Sequence, residues 1–175
     1  MSKNILMLFL FAIAFNLKAY CQLDTIKTVD FSICVPFNSK LRETNSKTIK
    51  LSVISKIGNN IRNIIVQKVE PNPIKINDFW DLNDEQIKEK LFFHVNGQTF
   101  FQSLERRKIN DIKFITIYHS RKMLVSNNLI EIKTQSNYFV KDNSLFVVDL
   151  SCLIENFDEN KILFNDIMKS FKFLI

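Results

Sequence analysis

The chain has 175 residues, a hydrophobic share of 46% and a formal net charge of +6. That much apolar material, with 17 Phe, excludes intrinsic disorder, while only 2 Gly and 3 Pro exclude collagen-like, glycine-rich and low-complexity architectures. The charge is mild, and the basic runs Arg106-Arg107-Lys108 and Arg121-Lys122 lack interleaved aromatics, so no nucleic-acid partner is indicated.

Residues 1–21 read as a secretory signal peptide. A short start containing Lys3 precedes the apolar block Ile5 to Phe15, which ends at Ala19-Tyr20-Cys21 before Gln22. The block is shorter than the roughly 20 residues of a membrane span, and no later apolar run approaches that length. Cleavage between Cys21 and Gln22 places small residues, Ala19 and Cys21, at the positions the peptidase reads. The alternative is a lipoprotein acylated on Cys21; the bulky Tyr20 and Lys18 argue against its pattern of small residues. The expectation is a secreted or periplasmic single domain over residues 22–175, without a membrane span and monomeric.

Val29 to Val35 reads as a strand that stops at Pro36. Thr48 to Ile57 and Ile61 to Val69 are β-branched runs separated by Gly58-Asn59-Asn60, which marks a hairpin. Pro71-Asn72-Pro73 ends that pair. Asn83, with Gln86 three residues on, has capping-box spacing, and Asp84 and Glu85 occupy the first turn. Ile87, Leu91 and Val95 recur at four-residue steps, so a helix is expected to run to about Gly97. Phe100 to Arg107, Lys113 to His119, Leu129 to Val140 and Leu145 to Ile154 then form an antiparallel meander. A last helix, from about Phe157 to Ser170, is expected to be capped by Asn156 with Glu159. It should lay Phe157, Phe164, Ile167, Met168 and Phe171 on the sheet. The class is α+β: an antiparallel sheet flanked by helices.

Little in this pattern is catalytic. Gly58 and Gly97 cannot build a phosphate loop, a dinucleotide fingerprint or a nucleophile elbow, and no cofactor motif is present. His94 on the helix and His119 at a strand end have no Cys, His or carboxylate at metal-ligand spacing. Catalysis by either would require a deep polar pocket that brings the histidine to a carboxylate or to Cys34. Asp78, Asp81, Asp84 and Glu85 lack the glycine and distal glutamate of a calcium loop and read as helix-start electrostatics. Cys34 and Cys152 would be the two cysteines left after export. Alternation puts Cys152 with the core residues and Cys34 away from them, so free thiols are expected over a disulfide. In Asn77-Asp78-Phe79-Trp80-Asp81, the only Trp stands beside a Phe in a polar segment. Phe79 and Trp80 are therefore either an interaction anchor or a plug where the helix meets the sheet.

The opening Asp30-Phe31-Ser32-Ile33-Cys34-Val35-Pro36, the hairpin carrying Tyr138-Phe139-Val140 and Leu145 to Cys152, and the ending Phe164 to Phe173 with its Ser-Phe-Lys-Phe together resemble the PsbP/Mog1-like superfamily. The tryptophan that often follows the opening proline of that family is absent after Pro36. The resemblance implies an α/β/α sandwich. It also implies a non-catalytic binding or assembly role in the cell envelope, toward a protein partner or a hydrophobic ligand. An immunity or effector-chaperone role is one alternative, and a divergent envelope enzyme using His119 or His94 is the other.

Overall fold

The computed structural model describes residues 23–58, 60–75, 79–92 and 99–174. The leader with Cys21 and Gln22, and the expectations placed on Asn77, Asp78, His94, Val95 and Gly97, lie outside the described residues.

Two antiparallel sheets form the fold. The small one consists of β1 (Leu23–Lys27), β2 (Phe31–Pro36) and β10 (Lys172–Phe173), with β2 in the middle. The large one consists of β3 (Lys40–Leu41), β4 (Ile49–Ile57), β5 (Asn60–Val69), β6 (Thr99–Ile109), β7 (Ile112–Val125), β8 (Asn128–Lys141) and β9 (Ser144–Leu153). Its order is β3-β4-β5-β9-β8-β7-β6, so the meander β6 to β9 folds back and closes onto β5. The three meander turns are two-residue loops at Asn110-Asp111, Ser126-Asn127 and Asp142-Asn143, all six residues at positive φ. That geometry matches the twist of paired strands, and Asn and Asp tolerate it without glycine. Short turns let β7 and β8 run 14 residues each, longer than the sequence pattern suggests.

Side chains alternate across these strands, and both faces are covered. On one face Val66, Phe139, Phe146, Val148 and Leu150 meet the small sheet and the helix α2 (Phe157–Ser170). Phe31 stacks on Phe171 at 5.3 Å, and Phe139 stacks on Phe146 at 5.6 Å. Phe157, Phe164, Ile167 and Met168 of α2 are buried against the sheet as their spacing predicts. The capping expectation at its start is corrected. Asn156 ends a 3₁₀ turn, Ile154–Asn156, and makes no side-chain cap bond, because its backbone is already turning when α2 begins.

The opposite face is covered by the segment after β5. Here the capping box is present: Asn83 accepts from the Gln86 backbone and the Gln86 side chain accepts from the Asn83 backbone, opening α1 (Asp84–Ile87). From Lys88 the coil widens into a π-helical turn, Lys88–Phe92, rather than continuing as the expected α-helix. Ile87 and Leu91 still reach the sheet and pack with Ile115, Ile117, Tyr138 and Leu145.

Candidate functional site

The alternation that fills the first face leaves a polar row on the second. Ile65 and Gln67 of β5, His119 and Arg121 of β7, Thr134, Ser136 and Tyr138 of β8, and Val147, Asp149 and Ser151 of β9 all line one cavity. Its volume is about 620 Å³, within the range of small-molecule sites. Pro73, Ile74, Lys90 and Leu91 from the covering segment close part of it. The walls are mixed: Ile65, Val69, Ile74, Leu91, Leu145 and Val147 are apolar, whereas the His119, Ser136 and Asp149 side is polar.

Strand register builds the polar side. Ser136 stands directly opposite Asp149, and His119 stands opposite Thr134, one diagonal step from Ser136. The Ser136 hydroxyl donates to Asp149 Oδ1 at 2.5 Å, and its oxygen lies 2.9 Å from His119 Nε2. Gln67 Nε2 donates to Asp149 Oδ2 at 3.3 Å. His119 is 5% exposed, and its Nδ1 is buried without a hydrogen-bond partner among the described residues. Burial, reinforced by the charge of Arg121, lowers the imidazole to about 4, so it is neutral at physiological pH. Burial also raises Asp149, while its bonds to Ser136 and Gln67 and the nearby Arg121 act against that rise. Tyr138 is raised chiefly by burial. Arg121 and Lys122 are exposed at the mouth.

The cavity thus brings His119 to a serine that in turn bonds a carboxylate. The order of the groups matters, however. A hydrolytic triad places the imidazole between the hydroxyl and the carboxylate, so that it can take the hydroxyl proton. Here the hydroxyl is in the middle and its proton is directed to Asp149. His119 is also not at a strand end, because β7 continues to Val125.

The remaining sequence candidates lie elsewhere. Phe79 is 3% exposed and belongs to the core, so it offers no surface to a partner. Trp80 is half-buried against the same cluster, with Lys113 Nζ 5.1 Å from the ring centroid. Cys34 and Cys152 are both free. Cys34 lies in the small sheet, with its Sγ 3.4 Å from Thr25 Oγ1. Cys152 is buried in the filled face, and burial raises its thiol to about 11. Among the described residues no group of three or more His, Cys, Asp and Glu could hold a metal ion, and no helix is long and apolar enough to cross a membrane. Beyond the sheet, the β7–β8 hairpin exposes Leu124 (71%) and Leu129 (68%).

Sequence reasoning missed Gln67, Arg121, Ser136, Tyr138 and Asp149. Their signal was the shared parity of 134, 136 and 138 with 147, 149 and 151. That parity reads as a solvent face until a covering segment is placed on it.

No protein-family model matches the sequence, and no curated protein sequence matches it. Solved structures do match in fold. The solution structure of cyanobacterial PsbP (CyanoP) from Synechocystis sp. PCC 6803 aligns with a TM-score of 0.63 and 15% identity, over 89% of this chain and 95% of that one. A Pseudomonas aeruginosa protein of unknown function, PA94, described as a putative regulator, aligns at 0.52 and 8% identity, over 88% and 96%. LpqN, involved in cell envelope biogenesis of Mycobacterium tuberculosis, aligns at 0.51 and 12% identity, over 92% and 95%. The chain therefore shares its α+β fold with these structures, cyanobacterial PsbP among them.

Proposed function

We propose that the protein is an exported, non-catalytic accessory protein that holds a small, partly apolar molecule in the cavity on the covered face of its sheet. One observation carries this reading. Strands that could have exposed a polar face to water instead line a partly covered cavity of about 620 Å³ with apolar walls and a hydrogen-bonded polar side. The leader pattern of residues 1–21 supports export, and the envelope role printed for LpqN is in keeping with it. Native mass spectrometry of the protein recovered without detergent from envelope and secreted fractions tests the reading. The expected result is a bound small molecule that leaves on activation. A bare mass from both fractions, together with no uptake of any alkyl-chain probe, would overturn it.

A second reading, an enzyme using His119 as base, is favoured by the His119–Ser136–Asp149 contact. It requires substrate to approach Nδ1, since Nε2 is held by Ser136. Turnover of an ester or amide panel that disappears in His119→Phe would establish it; the non-catalytic reading expects none above buffer.

A further inference from the structure

The hydrogen-bond chain at the polar side of the cavity has a direction. The Asp149 carboxylate can only accept, so the Ser136 proton lies toward it. The Ser136 oxygen therefore turns lone pairs to His119, and Nε2 carries a hydrogen. A neutral imidazole has one such hydrogen, which leaves Nδ1 as a bare acceptor. That acceptor is buried, partnerless among the described residues, and belongs to a side chain lining the cavity. Buried acceptors in folded proteins are normally met by a donor. A carboxylate head has no proton to give, and a cationic head would face Arg121 at the mouth. Protonation of Asp149 would reverse the chain and make Nδ1 a donor. A hydroxyl suits both states, because it donates and accepts.

We propose that the ligand is a neutral amphipath whose head presents a hydroxyl to His119 Nδ1 while its apolar part lies along Ile65, Leu91 and Val147. This rests on the reading of the cavity as a binding site, and the experiment separates the two. Protein expressed from the full chain is titrated calorimetrically with three probes that share an eight-carbon chain, below their micelle concentrations: octyl glucoside, octanoate and octyltrimethylammonium. Octyl glucoside should bind about tenfold more tightly than either charged probe, a difference of the size one buried hydrogen bond supplies. His119→Phe should erase that preference, and His119→Gln, which keeps an amide acceptor and donor, should restore most of it. Val147→Phe, which fills the cavity, should weaken all three probes together. A preference for octanoate or octyltrimethylammonium, or a preference for octyl glucoside that survives His119→Phe, overturns the hydroxyl proposal and leaves the cavity reading intact. Failure of all three probes to bind, or binding untouched by Val147→Phe, overturns the cavity reading and the proposal with it. If His119→Phe does not fold, Ser136→Ala replaces it. Loss of the Nε2 anchor should then reduce the octyl glucoside preference, and an unchanged preference overturns the proposal.

Discussion

Val147 and Val148 are chain neighbours on β9, yet they stand on opposite faces of the sheet. Val148 is fully buried among Phe139, Phe146 and Leu150, between the sheet and α2. Val147 is half-buried and lines the cavity opposite. The same pairing recurs at Ile64 and Ile65 on β5. One face is closed by two large apolar surfaces, the small sheet and a 14-residue helix. The other is partly covered, among the described residues, by a four-residue helix, a π-helical turn and loop. A long amphipathic helix presents a continuous stripe and fills the space beneath it. The described part of this cover offers no such stripe, and the cavity beneath it is lined by what the strands present. The contrast teaches that a single alternating sheet can fill one face completely and leave a cavity beside the smaller cluster on the other.

The largest test of the contrast is truncation on the filled face. Phe164→Ala or Phe139→Ala should cost about 3–5 kcal/mol, the range for large aromatic residues removed from cores. Chemical denaturation measures it, and a cost under about 1 kcal/mol would mean that the face is not the stabilising one.

Next comes pH. His119 remains neutral in the fold down to about 4, whereas an unfolded chain protonates it near 6.5. Between those values the unfolded state binds more protons, so stability falls as pH drops from 6.5 to 4, by about 3 kcal/mol from this group. Asp149 acts in the opposite direction: its raised folded value removes stability as pH rises above the ordinary carboxylate value. The difference between wild type and His119→Phe isolates the histidine. Parallel stability–pH curves for the two proteins would contradict the buried, neutral imidazole.

The valine pair sharpens the comparison directly. Val148→Phe overpacks a full core and should cost about 1–3 kcal/mol. Val147→Phe enters open volume and should change stability by less than about 1 kcal/mol. Equal costs would show that the two faces do not differ. The smallest effect concerns the helix starts. Asn83→Ala removes an observed cap and should cost about 1 kcal/mol. Asn156→Ala, at a position without a side-chain cap bond, should cost less.

These cases also show what was readable in the sequence. The filled face was legible in part: the stripe of α2 and the alternate apolar positions Phe146, Val148, Leu150 and Cys152 of β9 report burial directly, whereas β8 places the polar Gln135 and Asn137 on the same face. The Asn83 capping box was legible for the same local reason. Asn156 has the same spacing and fails, because capping depends on the backbone entering the helix, which here is a 3₁₀ turn. The cavity was not legible. His119, Ser136 and Asp149 lie 17 and 13 positions apart, and only strand register brings them together. Thr134, Ser136, Asp149 and Ser151 each look like ordinary outward-facing polar residues. The π-helical turn that helps cover them is a departure from the α-helical spacing on which the reading relied.

On the proposed reading, ligand enters one face of the sheet and leaves the other untouched. Methyl-labelled NMR during titration with octyl glucoside tests this most directly. The methyl signals of Ile65 and Val147 should shift progressively to saturation while those of Ile64 and Val148 stay within a small fraction of that change. Equal movement at both members of each pair, or none at Ile65 and Val147 up to the micelle concentration, would contradict it.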